Sequence, residues 1–226
     1  LLVFRTNTAY DRYWEGRKVW SQMVLAIRNL ARLLWTIIPE ELASEKDVAV
    51  HLLHAFAVAV KCYLHGTDPF VEMEHIEAIR PVIPTLREYY QAIIDSVTAE
   101  DLQSENATVP YVVSLFISNY IVHAKDEGHI DAVHLGLILN AINTLTECLT
   151  GYERIQRTPI PVAYAIHLHQ TVLLYCLALP FQLLPLLNWV TVPITAIVAF
   201  TMLGVLHIGK EIENPFGDDD NDLPLD

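Results

Sequence analysis

From Thr158 to Gly209 the chain runs for 52 successive residues without one Asp, Glu, Lys or Arg. A helix in a water-soluble domain carries charge on its outer face every turn or two. A run of this kind leaves no face for water. It divides near Pro185 to Asn188 into "PVAYAIHLHQTVLLYCLALPFQLL" and "WVTVPITAIVAFTMLGVLHIG". At a rise of ~1.5 Å per residue, either piece can cross a hydrocarbon core of ~30 Å. Pro180 and Pro193 are expected to kink these spans, and Trp189 stands where an interfacial aromatic anchor would.

The charges that remain are unevenly placed. Of the 14 Lys and Arg, all but Lys210 precede the run, and Lys210 ends it. Basic residues therefore flank both ends of the hairpin (Arg154, Arg157, Lys210) and its loop has none. The positive-inside rule puts residues 1 to 157 and the acidic tail on the cytoplasmic side. A net charge of −13 excludes a nucleic-acid partner, which needs a basic face. Cys62, Cys148 and Cys176 are scattered and fit neither a disulfide framework nor a zinc spacing. The start, Leu-Leu-Val-Phe, has no initiator Met and no signal-peptide pattern, so a piece of a longer protein is expected.

Ahead of the uncharged run the periodicity is helical. Residues 1 to 38 read as one long helix, in which good helix formers dominate, Gly16 is the only breaker and Pro39 is the stop. "PEELASEKD" is a connection with Ser44 as candidate N-cap. "VAVHLLHAFAVAVKCYLHG" is long enough to span a membrane, but His51, His54, Lys61 and His65 interrupt it, so it reads as a core helix ending at Gly66. Pro69, Pro81 and Pro84 cut residues 67 to 108 into short helices. Two further helices follow, with a turn at Gly128. No alternating strand pattern and no fixed repeat is present.

Few residues suggest chemistry. His51 and His54 share a helix face three apart, yet no second pair repeats the spacing and no HExxH pattern accompanies them. They read as packed or surface histidines. His167, His169 and Gln170 lie inside the first span, where polar groups face a protein interior, a water path or a neighbouring helix. Asn106-Ala107-Thr108 fits a glycosylation sequon, a match common by chance. There is no Gly-rich phosphate loop and no nucleophile-base constellation, so an enzyme is not expected. The tail "IENPFGDDDNDLPLD" offers Asp218, Asp219, Asp220 and Asp222 as hard oxygen donors. A helix-loop-helix calcium site fails, because Leu223 stands where that loop needs Gly. On the residues alone, a solvated acidic terminus and a cation site both stay open.

Three stretches resemble signatures of the bestrophins, homopentameric and mostly anion-selective channels: "FRTNTAYDRYWEGRKVW", "RIQRTPIPVAY" and "IENPFGDDDNDLPLD". They stand in the family's order along nearly the whole chain, and "NDLPLD" is closest to the microbial and fungal branch. The resemblance implies an all-α membrane protein, the protomer of a bestrophin-like pentamer. Its parts would be a pore-lining helix (1–38), a cytosolic helical region (39–157), a transmembrane helical hairpin (158–209) and an acidic clasp-like tail (210–226). The family's first transmembrane helix is expected before residue 1. Phe4 matches the last of three apolar residues that form the family's neck. Ile160 matches the apolar residue before a Pro that sets its cytosolic aperture.

For the tail, the resemblance implies a calcium clasp. Asp219 and Asp222 would ligate by carboxylate, and Glu211 and Asn214 by main-chain carbonyl. Asn221 replaces an acid of the animal pattern. The function expected is a channel subunit that assembles with copies of itself in lipid and passes chloride and other small anions passively. The rivals are a cation-conducting homologue of the same scaffold, a poreless membrane-anchored interaction protein and, remotely, a metallohydrolase using the histidines.

Overall fold

The computed structural model describes residues 2–96, 108–217 and 221–225. They form eight α-helices and three short 3₁₀ turns, with no strand among them. The α-helices are α1 (Leu2–Ile37), α2 (Ala43–His65), α3 (Pro69–Met73), α4 (Ile83–Ser96), α5 (Thr108–Asp126), α6 (Ala132–Arg157), α7 (Val162–Leu187) and α8 (Thr191–Glu211). The chain divides into two compact units, and α1 and α6 each contribute to both.

One unit comprises residues 18–153 with Leu225. Within it α2 packs on α5, and α3 and α4 complete the core. Phe56, Ala59 and Val60 of α2 are fully buried, as are Val113, Ile117 and Ile121 of α5 to within a percent. This supports the core-helix reading of α2, although α2 with the turn before it, α6, and the α7–α8 stretch are all long and apolar enough to cross a membrane. Gly66 ends α2 in the left-handed region (φ 69°), where its N–H reaches the Cys62 and Tyr63 carbonyls. Gly128 makes the α5–α6 turn at φ 85°.

Ser44 does not cap α2. It lies inside the first turn, and no side chain caps the helix. A 3₁₀ turn at Glu40–Leu42 leads straight into α2, so its first amides sit over the turn's own carbonyls. Lys46, 4% exposed, instead serves the end of α1: its Nζ donates to the Ile38 carbonyl at 3.3 Å and lies over the Trp35 ring. Asp131 caps α6 by accepting from the His134 N–H at 2.8 Å.

The other unit holds residues 1–17, 154–224 and 226. Within it α7 and α8 pack as an antiparallel hairpin. Its turn is Asn188–Val190, with Asn188 at φ 49°, so Pro185 falls inside α7 rather than in the loop. Pro193 does not kink the second span. It sits in the first turn of α8, where the missing N–H has no intrahelical partner to lose. Large apolar side chains stay open along both helices: Phe181 and Phe200 are each 80% exposed and Trp189 is 89% exposed. Water would not tolerate such a surface, whereas hydrocarbon or a neighbouring subunit would. The hydroxyls of Thr171, Thr195 and Thr201 bond back to carbonyls of their own helices, as lipid requires. This is an integral membrane protein of helical architecture.

Candidate functional site

Two prolines shape the link between α6 and α7. Thr158 and Ile160 each precede a Pro, which disfavours helix, and residues 159–161 are accordingly non-helical. The link lies beside the first turns of α1. Phe4 projects from α1 at 67% exposure, with its ring 6.2 Å from that of Tyr164 and nearly perpendicular to it. Ile160 is only 9% exposed. Both line one cavity of about 540 Å³, together with Thr8, Arg12, Arg154 and Tyr164. The structure thus brings the two expected pore residues to a single cavity, one presented outward and the other mostly covered within its own protomer.

Residues that line the Phe4 cavity belong to a network that motif reading did not resolve. Arg5 and Arg12 stand seven apart, two helical turns, and so share a face of α1. That spacing was the available signal. Arg5 is 3% exposed and pairs through Nη2 with Glu213 Oε2 at 3.2 Å. Arg12 spends its donors on main-chain oxygens: Nε on the Glu213 carbonyl at 3.1 Å, Nη2 on the Ile155 carbonyl at 2.6 Å and Nη1 on the Thr158 carbonyl. A cation on the last carbonyls of α6 offsets the negative end of the helix dipole. Arg154 pairs with Glu15 close by.

A second cavity of about 690 Å³ adjoins this network. His169 and Gln170 of α7 line it with Arg5, Arg12, Lys210, Glu213 and Asn214. Two of the three polar residues noted inside the first span therefore do face a pocket. His167 is exposed outside it.

The tail is docked rather than loose. Pro215, Phe216 and Leu223 are buried, and the Leu223 N–H donates to the Pro215 carbonyl at 3.0 Å, which closes a loop. A Cβ on Gly217 would stand 2.6 Å from Asp222 Oδ2, so only glycine leaves that carboxylate its place. Glu211 accepts from Asn221 Nδ2 at 3.3 Å and meets His207 Nε2 at 3.1 Å. Of the donors expected for a cation, the main-chain oxygens of Glu211 and Asn214 and the Asp222 carboxylate lie among the described residues, and all are oxygens, the chemistry a hard cation takes. Asp219 lies outside the described residues, as does Asn106 of the sequon. Among the described residues no three His, Cys, Asp or Glu side chains gather to hold a metal. His51 Nδ1 sits 2.8 Å from the Asp47 carbonyl, an ordinary helical contact.

Comparison with known proteins covers the same span. The sequence model described as Bacterial/Fungal Bestrophin protein matches residues 1–226. A voltage-dependent anion channel-forming protein of Synechocystis is 44% identical over the whole chain and 69% of its own length. One from Escherichia coli is 32% identical over the whole chain and 67% of its length. A crystal structure of a mutant bacterial bestrophin homolog from Klebsiella pneumoniae superposes with a TM-score of 0.85 at 29% identity, over all of this chain and 76% of that one. With the three signatures, the helical hairpin and the whole-chain match in agreement, the chain belongs to the bacterial and fungal bestrophin family.

Proposed function

We propose that this chain is one subunit of a membrane channel that passes chloride and other small anions passively. The observation that carries the reading is the agreement of two things along the whole chain. Its relatives are named as voltage-dependent anion channel-forming proteins, and Phe4 stands outward on α1 at a cavity that Arg5 and Arg12 also line. No covalent chemistry is assigned to it.

The subunit assembles with copies of itself, as a homopentamer. The exposed apolar faces of α7 and α8 supply surface for neighbouring subunits and for lipid. Phe4 forms one ring of the neck, and a narrow apolar ring of this kind resists ions until it widens. Ile160 contributes the aperture. The bulk of the chain and the acidic tail lie on the cytoplasmic side, a reading that rests on Arg154, Arg157 and Lys210. Calcium, when bound, would bridge the tail through Glu211, Asn214, Asp219 and Asp222 and add positive charge that stiffens the loop.

A second reading, conduction of cations through the same scaffold, draws support from the net charge of −13. The test is ion flux from liposomes carrying the full-length protein, with reversal potentials under separate anion and cation gradients. A reversal potential that follows chloride supports the anion channel. One that follows the cation supports the second reading, and no flux from folded, inserted protein removes both.

A further inference from the structure

The second cavity carries three fixed cations against one carboxylate: Arg5, Arg12 and Lys210 against Glu213. That carboxylate is already committed to Arg5 Nη2. Arg12 is held by three carbonyls and by no carboxylate among the described residues. Arg5 is 3% exposed, yet its Nε and Nη1 have no hydrogen-bond partner among the described residues. A buried guanidinium edge without an acceptor is costly, and arginine's fork suits a phosphate or carboxylate oxygen pair. Lys210 closes the uncharged run in the last turn of α8 and forms no ion pair among the described residues. Apolar lining comes from Val162 and Ile166 in the first turns of α7, which are 69% and 52% exposed, and His169 and Gln170 line the cavity further along the same helix. Cationic floor and apolar wall meet at the end of the hairpin where α7 begins and α8 finishes.

We propose that this cavity binds a phosphate group, held by Arg5, Arg12 and Lys210. Its shape places an acyl-linked phosphate with the head on the arginines and the chain along Val162 and Ile166, so an anionic lipid headgroup and free phosphate are the two sources of that chemistry. The cavity is also lined by Ile160, the residue proposed for the aperture, so binding is read directly and without flux.

The test uses full-length protein in neutral detergent. Native mass spectrometry follows retention of phosphatidylglycerol against phosphatidylcholine. Inorganic phosphate is added in a second arm and read by thermal shift and by displacement. Phosphatidylglycerol is expected to be retained preferentially. Lys210→Gln, an exposed position that leaves the fold intact, is expected to weaken that retention about fivefold, the effect of one cation near a headgroup. Retention that inorganic phosphate does not displace identifies the lipid as source. Displacement with a raised melting temperature identifies free phosphate. Equal retention of both lipids with no phosphate shift would overturn the proposal. So would a Lys210→Gln protein that holds phosphatidylglycerol as tightly as the parent.

Discussion

Phe216 Cζ lies 3.0 Å from the point where a Cβ on Gly16 would stand, with Leu223 Cδ1 at 3.3 Å from the same point. The one glycine in α1 is therefore a seat for the tail. It is not a hinge. Phe216 is 2% exposed on that seat.

Filling the seat should lift the tail. Gly16→Val is expected to destabilise by about 1–3 kcal/mol, the usual cost of overpacking, and to open the tail to limited proteolysis. Adding Phe216→Ala should recover part of the loss, because the shortened side chain frees the volume. Additive losses in a double-mutant cycle would show that the two residues do not act on each other.

The ion pair of Arg5 with Glu213 should dominate the stability of the link between α1 and the tail. Glu213→Gln leaves a buried guanidinium without its counter-charge. The expected loss is about 3 kcal/mol, the lower end for buried pairs because Glu213 keeps 21% exposure. Chemical denaturation of the detergent-solubilised protein measures it. A loss below 1 kcal/mol, the range of surface pairs, would mean that Arg5 finds another acceptor.

Phe4 and Ile160 should separate function from folding. Phe4 is 67% exposed, so Phe4→Ala is expected to move stability by no more than about 0.5 kcal/mol while raising or deselecting ion flux. Ile160 is 9% exposed, so Ile160→Ala is expected to cost about 2–3 kcal/mol and to change flux as well. Parallel unfolding and liposome-flux series on both variants make the comparison. Unchanged flux in Phe4→Ala would remove Phe4 from the conduction path.

The first turn of α6 should loosen in acid. Hydrogen bonds from the His134 backbone N–H and then its side chain hold the Asp131 carboxyl below its ordinary value of 3.8. A depressed folded pKa means the cap contributes fully above the unfolded value. The contribution is lost as pH falls through the lower, folded one. Hydrogen exchange at His134, corrected for intrinsic rate, should quicken below about pH 3.8 in the parent protein. Asp131→Asn keeps an acceptor and should remove the pH dependence.

Much of the architecture could be read from local pattern. A run of 52 uncharged residues leaves a chain no option but apolar surroundings, and Pro39, Gly66 and Gly128 stop helices by local sterics that need no partner. The spans, the core helix α2 and the order of elements follow from these. Positions set by neighbours could not be read this way. Ser44 had the chemistry of a cap but the preceding 3₁₀ turn took its place. Pro193 looked like a kink until the hairpin turn put it in a first turn. Gly16 looked like a helix breaker until Phe216 was seen against it. Arg5 and Arg12 were two charges in a polar stretch. Only packing made one a buried partner of Glu213 and the other the cap of α6. A residue's helical preference is written in a few neighbours along the chain. Its burial and its partners depend on groups 140 to 210 positions away, such as Ile155 and Glu213 beside α1, and only the folded chain brings those within hydrogen-bond reach.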